Sequence, residues 1–241
     1  MVNIEGRNPV REALRVGRVK RLFVAKEAGK KGISDILEAA KEQRIPVVFL
    51  DKQELLRRAQ TQVHQGVIAE AEPIQTYELP RWLAEIKEDR DAVVLVLDEL
   101  TDPRNFGSLL RTADAAGVSG CVIPRRRGAG ITPVVEKASA GAAQYIPVIE
   151  VPNLVSTLKI LKEEGFWLYG ADVDAPRHLY SGLDFSGRVA LVIGAEGKGL
   201  RRLVKEQCDF LVSIPMKGNI QSLNASVAGA LFMYEILRSR L

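Results

Sequence analysis

Three short segments set carboxamide, carboxylate, guanidinium and hydroxyl groups directly after apolar runs, two of them among glycines. The first runs from Asp98 to Arg111 and carries Asn105; the second is Gly194-Ala-Glu-Gly-Lys-Gly, with Glu196 inside it; the third leads from Ile214 through Ser222 and Asn224 into an apolar helix. A helix start leaves N–H groups unpaired, so Ser222 and Asn224 can cap that helix or face an electron-rich ligand. Both readings stand at this point. The guanidinium of Arg111 can grip a phosphate or carboxylate in two-pronged fashion. It lies off the stripe of Phe106, Leu109, Leu110, Ala113 and Ala116, on the side of Arg104, Gly107 and Ser108. An ordinary solvated arginine is the bland alternative. Asn105, six residues away, must work from the helix mouth if both serve one site. Glycines at 194, 197 and 199 let the backbone approach a ligand or take positive φ. Glu196 among them is an acceptor for a hydroxyl or cation, or a plain turn residue. The spacing Gly194-x-x-Gly197-x-Gly199 matches neither the dinucleotide fingerprint nor the phosphate-binding loop.

The elements that must hold these groups restart at Ala92. Apolar runs at 93–97, 121–123, 145–149, 167–171, 189–193 and 210–214 predict strands, and the segments 103–116, 133–141, 153–164, 199–206 and 222–239 are long enough for helical crossovers. That alternation predicts a mainly parallel sheet flanked by helices, with ligands at the carboxyl ends of its strands. All three polar segments leave such ends. Thr101 or Asp102 can cap the helix that Pro103 opens. Upstream, residues 1–72 alternate a helix from Asn8-Pro9 to Arg15, a strand at 21–25, a helix at 33–43, a strand at 46–50, a short helix at 52–58 and a strand at 66–70. This is a small α/β domain. Residues 73–91, with Pro73, Pro80, dense charge and a short helix at 81–86, read as a linker to the second domain, 92–241.

At 241 residues, 46% hydrophobic and 27% charged, the chain has the composition of a soluble globular protein. No apolar run approaches the roughly 20 residues of a membrane span, and the start lacks a signal-peptide layout, so a cytoplasmic location without membrane association is expected. Cys121 and Cys208 are isolated and read as small buried or half-buried residues, and two histidines leave no metal site. Net charge is +4. Arginines and lysines cluster at 7–21, at 57–58 and at 125–127, and three clusters together favour a polyanion. Arg7, Arg11, Arg18, Arg125 and Arg126 are its candidate contacts. His64 has no acid, nucleophile or second ligand beside it and is read as structural or as a contact to RNA; His178 is read as solvent-exposed.

The segments Asn105-Phe-Gly-Ser-Leu-Leu-Arg111-Thr-Ala, Ile193-Gly-Ala-Glu196-Gly-Lys-Gly-Leu and Ile214-Pro-Met-x-Gly-x-x-x-Ser222-Leu-Asn224-x-Ser-Val-Ala together resemble, in order and spacing, the three motifs of the SPOUT-class (SpoU/TrmH-like) RNA 2′-O-ribose methyltransferases. Glu5-Gly-Arg-Asn-Pro-Val and His64-Gln-Gly-Val resemble the substrate-binding domain of the branch acting on ribosomal RNA. The resemblance implies a small α/β substrate-binding domain followed by an α/β trefoil-knot domain with a mainly parallel sheet. It implies S-adenosylmethionine cradled by backbone at Gly194, Ile214 and Leu223, with Gly197 in the same loop and Ala171 lining the pocket. Asn105, Arg111, Glu196, Ser222 and Asn224 match the family's polar active-site set. The resemblance further implies a homodimer through the carboxyl-terminal domain, in which one subunit's arginine completes its partner's site. The reaction implied is methyl transfer to a ribose 2′-hydroxyl, by closest resemblance at a guanosine of 23S rRNA. A branch methylating a 23S adenosine shares the plan, and a transfer-RNA branch usually lacks the amino-terminal domain. A non-catalytic RNA-binding or assembly factor is the alternative of another kind, though all five motif residues are present.

Overall fold

The computed structural model describes residues 1–27, 32–59 and 63–241. In chain order its elements are β1 (Val2–Glu5), α1 (Arg7–Arg15), β2 (Val19–Ala25), α2 (Ser34–Glu42), β3 (Val47–Leu50), α3 (Lys52–Arg58), β4 (Val67–Ala71), α4 (Leu79–Glu85), β5 (Val93–Asp98) and α5 (Pro103–Ala115). There follow β6 (Gly120–Pro124), α6 (Pro133–Ala138), β7 (Val148–Val151), α7 (Leu154–Glu163), β8 (Trp167–Ala171), β9 (Arg177–His178), β10 (Val189–Gly194), α8 (Arg202–Lys205), β11 (Phe210–Ser213) and α9 (Ala225–Arg238). The chain divides into two compact units, Met1–Gln75 with Ile131–Gln144, and Thr76–Gly130 with Tyr145–Leu241.

The first unit holds a sheet in the order β1-β4-β2-β3, with β4 antiparallel to both β1 and β2. Alternation along the strands sends Leu22, Val24, Val67 and Ala69 to one face, under Val10, Ala13 and Leu14 of α1 and Ile36 and Ala40 of α2. Phe23 and Ile68 go to the other face, where Leu55 of α3 covers them. A capping box between Asp51 and Glu54 starts α3. The helix expected at 133–141 as a crossover of the second sheet forms as α6, but it belongs to the first unit, where it packs on β1 and α1. Arg18, 13% exposed, fastens it, donating from Nη1 to Glu136 Oε2 at 3.1 Å and Gln144 Oε1 at 3.0 Å while Nε donates to the Glu72 carbonyl at 2.8 Å.

In the second unit the sheet order is β7-β6-β5-β10-β8-β11-β9. Every pairing among these described strands is parallel, as the crossover lengths predict. Central β5 and β10 are buried along their whole length, which is why they read as unbroken apolar runs, and each buried Val or Leu contributes about 1.5–3 kcal/mol. Their register sets Val189 opposite Val93 and ends with Gly194 opposite Asp98. Two of the three polar segments therefore begin side by side. The sheet runs through β6 and β7 on one side of this pair and through β8 and β11 on the other, the arrangement that opens a crevice at the strands' carboxyl ends.

α5 presents Phe106, Leu109, Leu110 and Ala113 to the core as its stripe requires, and Asp102 caps it by accepting from the Arg104 N–H at 2.8 Å. Gly107, placed by periodicity on the outer side, is buried. α9 lies close against α5 at Gly229, where a Cβ would come within 2.4 Å of Leu109 Cδ2. Within the stretch 73–91, α4 buries Trp82 completely, and its Nε1 donates to the Ser119 carbonyl at 3.1 Å. Several boundaries differ from the periodicity. β7 begins only at Val148, some way after a 3-10 turn at Ala142–Gln144, and the 199–206 segment is helical only from Arg202 to Lys205.

Candidate functional site

The loop after β10 is closed on itself through backbone. The Gly199 N–H donates to the Ala195 carbonyl at 2.9 Å, and Gly197 and Gly199 take φ of 72° and 63°, values that favour glycine. Gly194 is needed for a different reason. A Cβ there would sit 2.2 Å from the Gly199 carbonyl carbon and 2.5 Å from the Leu200 nitrogen, both backbone atoms that cannot swing aside.

This closed loop delivers Glu196 to two amides. Asn105 Nδ2, from the first turn of α5, donates to Glu196 Oε1; Asn224 Nδ2 donates to the same oxygen at 2.7 Å and to Asn105 Oδ1 at 3.1 Å. The orientation of Asn224 follows from its other end. Its Oδ1 accepts from the Ser226 N–H at 2.9 Å, the Ser226 hydroxyl at 2.6 Å and the Val227 N–H at 3.4 Å, so oxygen must face the helix and nitrogen the carboxylate. Asn224 is thus the cap of α9 and a member of the polar cluster at once. Asn105, only 9% exposed, is further held by Asp102 Oδ2 at 3.4 Å. The two amides both donate to this exposed carboxylate, leaving a fixed negative group at the rim of a cleft.

That cleft has a volume of about 630 Å³, within the range of small-molecule sites. Ala171 at the end of β8, Gly194 and Gly197 of the closed loop, and Ile214 and Leu223 of the segment between β11 and α9 all line it. Glu196, Ser222 and Asn224 line it too. Periodicity and motif spacing missed Asp172 and Lys205, an ion pair on the wall of the same cleft. Residues 33 apart in sequence announce no such pairing, and only the parallel placement of β8 and β11 brings them together.

Arg111 lies elsewhere. Exposed on α5, it lines a groove of about 410 Å³ with Ser108 and Thr112 of its own helix and Ser226, Val227, Ala230, Leu231 and Tyr234 of α9. It is not among the residues lining the cleft. Ser226 joins the two places, since it borders this groove while its hydroxyl donates to Asn224.

The basic candidates fall into different environments. Arg125 and Arg126 are exposed, with Arg125 at 3.6 Å from Glu78. Arg7 donates through its main-chain N–H to Gln65 Oε1 at 2.8 Å, and Arg11 bonds to Asn8 Oδ1 at 2.8 Å and to Asp35, whose carboxyl that guanidinium holds below its ordinary range. Arg18 is committed to the internal acceptors described above. His64 is 8% exposed and accepts the Gly66 N–H through Nδ1 at 3.1 Å, which gives it a backbone-shaping task. His178 is exposed. Burial raises both thiols, Cys208 to about 12, so neither is a nucleophile at neutral pH. Among the described residues there is no cluster fit to hold a metal ion, and no helix is long and apolar enough to cross a membrane.

Comparison with known proteins places both units. Residues 92–234 match the model of the SpoU rRNA Methylase family, and residues 3–77 match that for RNA 2′-O ribose methyltransferase substrate binding. A putative TrmH family tRNA/rRNA methyltransferase of Bacillus subtilis (strain 168), YacO, is 44% identical over 237 residues, spanning 98% of this chain and 94% of the relative. The SpoU methyltransferase AviRb from Streptomyces viridochromogenes, solved in complex with the cofactor AdoMet, superposes with a TM-score of 0.79 at 26% identity, over 99% of this chain and 90% of its own. A solved RNA 2′-O ribose methyltransferase gives 0.82 at 25% identity, over 99% and 88%.

Proposed function

The chain belongs to the SpoU rRNA methylase family, whose fold is the α/β trefoil-knot class, and we propose that it methylates the ribose 2′-hydroxyl of a guanosine in 23S rRNA, as a cytoplasmic homodimer using S-adenosylmethionine. One observation carries this reading. Side chains from α5, the closed loop and the cap of α9 bond to one another at the rim of a cleft whose walls are the motif backbones. The cleft suits the methyl donor, because glycine backbone forms one wall where a side chain would collide and Glu196 and Asp174 offer carboxylates to a cationic ligand. When bound, that cofactor supplies the activated methyl group.

What the residues add is placement. Gly194, Gly197, Ile214 and Leu223 hold the donor cleft in shape, with Ala171 at its margin. Glu196, fixed by Asn105 and Asn224, and Ser222 orient polar groups at its rim. Arg111 grips the phosphate beside the target ribose and stabilises the developing alkoxide, while the phosphate or a water takes the proton, since a guanidinium keeps its own. Alignment of this kind is worth about 7–11 kcal/mol in favourable cases. The groove position of Arg111 fits a dimer in which each protomer's arginine enters the partner's cleft. Val227 and Tyr234, 48% and 51% exposed beside it, supply an apolar surface for that contact. The amino-terminal domain, residues 1–72, followed by the linker 73–91 and the methyltransferase domain 92–241 (whose α6 joins the first compact unit), holds RNA, with Arg7 and Arg11 there and Arg125 and Arg126 on the second domain as phosphate contacts. The presence of this substrate-binding domain, which the transfer-RNA branch usually lacks, supports ribosomal RNA as the substrate.

The test is incubation with S-adenosylmethionine and unmodified ribosomal RNA, followed by mapping of positions resistant to alkaline cleavage. A new resistant guanosine in 23S rRNA is the expected result. A resistant position in transfer RNA alone would move the substrate, and none in either RNA would overturn the enzymatic reading.

A further inference from the structure

The carboxylate that ends β5 takes no part in the scheme above, yet it is tied to the closed loop. Asp98 has a side chain with no exposure, and it accepts from the main-chain N–H of Arg201 at 2.9 Å, from its Nε at 2.7 Å and from its Nη2 at 2.6 Å. Arg201 Nη1 also lies 3.0 Å from Glu99 Oε1, which Arg127 approaches at 3.5 Å. A buried carboxylate is costly unless paired and hydrogen-bonded, and here one residue supplies all three donors. The same bonds push the Arg201 guanidinium above its ordinary value.

The position of Arg201 in the chain gives this grip its consequence. It follows Gly199 and Leu200, the backbone against which Gly194 packs, so fixing Arg201 fixes the closing end of the loop. It is also the residue from which α8 starts, and at the other end of that helix Lys205 pairs with Asp172 on the cleft wall. Both ends of a single turn of helix are thus pinned, one beside the loop and one beside the cleft.

We propose that Arg201, gripped by Asp98, is a positioning residue: it keeps the loop from Gly194 to Gly199 closed, which shapes the donor cleft and sets Glu196 against Asn105 and Asn224. The inference rests on the reading of that cleft as the methyl-donor site. Without the grip the loop opens for part of the time, and apparent donor affinity falls in proportion to the closed fraction.

Full-length Arg201→Met and Arg201→Lys proteins test it, through S-adenosylmethionine affinity by calorimetry, separate KM values for donor and RNA, and amide exchange at Gly199. The Arg201 side chain is 43% exposed, so truncating its head opens no core cavity. Arg201→Met is expected to weaken donor binding about tenfold, the effect of a loop closed one-tenth of the time, and to speed Gly199 exchange, with RNA KM unchanged and part of the loss restored in Arg201→Lys. Should Arg201→Met fail to fold by circular dichroism, Asp98→Asn carries the same expectation at smaller amplitude. Folded variants with wild-type donor affinity and wild-type Gly199 exchange overturn the proposal, as does a rise in RNA KM alone, which would make Arg201 an RNA contact. Wild-type protein that binds no S-adenosylmethionine would instead remove the underlying reading of the cleft.

Discussion

The Glu196 cluster and the Arg111 groove are built on the same two helices, α5 and α9, but they are finished to different degrees. Asn105 and Asn224 use their amides on Glu196 and on each other, and the cap of α9 fixes which way Asn224 faces. Arg111, two turns along α5, is unpaired among the described residues and borders an open groove with exposed Val227 and Tyr234. A group that must orient others benefits from being satisfied in advance. One that must meet a phosphate is better left free, because an internal partner would have to be broken first.

The largest effect expected on the finished side is that of Gly194→Ala. Its Cβ would strike Gly199 and Leu200 backbone, so donor affinity should fall by on the order of 100-fold with the far-ultraviolet spectrum retained. Calorimetric titration checks this, and near wild-type affinity would mean that the closed loop does not shape the cleft. On the unfinished side, Arg111→Lys keeps the charge and loses the two-pronged grip. Single-turnover methylation should slow by about 10²-fold with donor affinity unchanged, and a parallel loss of donor binding would make Arg111 a donor contact and not a phosphate grip. Smaller still is the split expected at Asn224. Asn224→Ala should cost about 1 kcal/mol of stability through the lost cap, whereas Asn224→Asp keeps the cap acceptor and loses the amide donor to Glu196. Thermal melts should therefore separate the two variants while turnover falls in both; full activity in Asn224→Asp would show that Glu196 needs no amide from α9.

The same contrast explains what could be read from the residues. Apolar runs at 93–97 and 189–193 become the central strands, and once Gly194 stands opposite Asp98 the polar segments after them must meet. Motif resemblance supplied Asn105, Glu196 and Asn224, which the fold brings within bonding distance. Partnerships made across long separations were not legible. Arg18 looks like any surface arginine until Glu136 and Gln144 close on it, and nothing local pairs Asp98 with Arg201, 103 residues on. Short strands escaped for a related reason. Val2–Glu5 and Arg177–His178 carry too little pattern of their own and are strands because β4 and β11 pair with them. α6 has buried Val135 and Glu136, but a stripe so short does not say which unit it will cover.

The most direct test of the division between the two regions mixes two inactive proteins, Arg111→Ala and Glu196→Ala, after denaturation and co-refolding, and assays methylation of unmodified ribosomal RNA. If each Arg111 serves its partner's cleft, a mixed dimer holds one site with both residues intact, and an equal mixture should recover roughly a quarter of wild-type turnover, as random pairing of protomers dictates. Turnover no higher than that of either variant alone would contradict the account and put Arg111 and Glu196 to work within one chain.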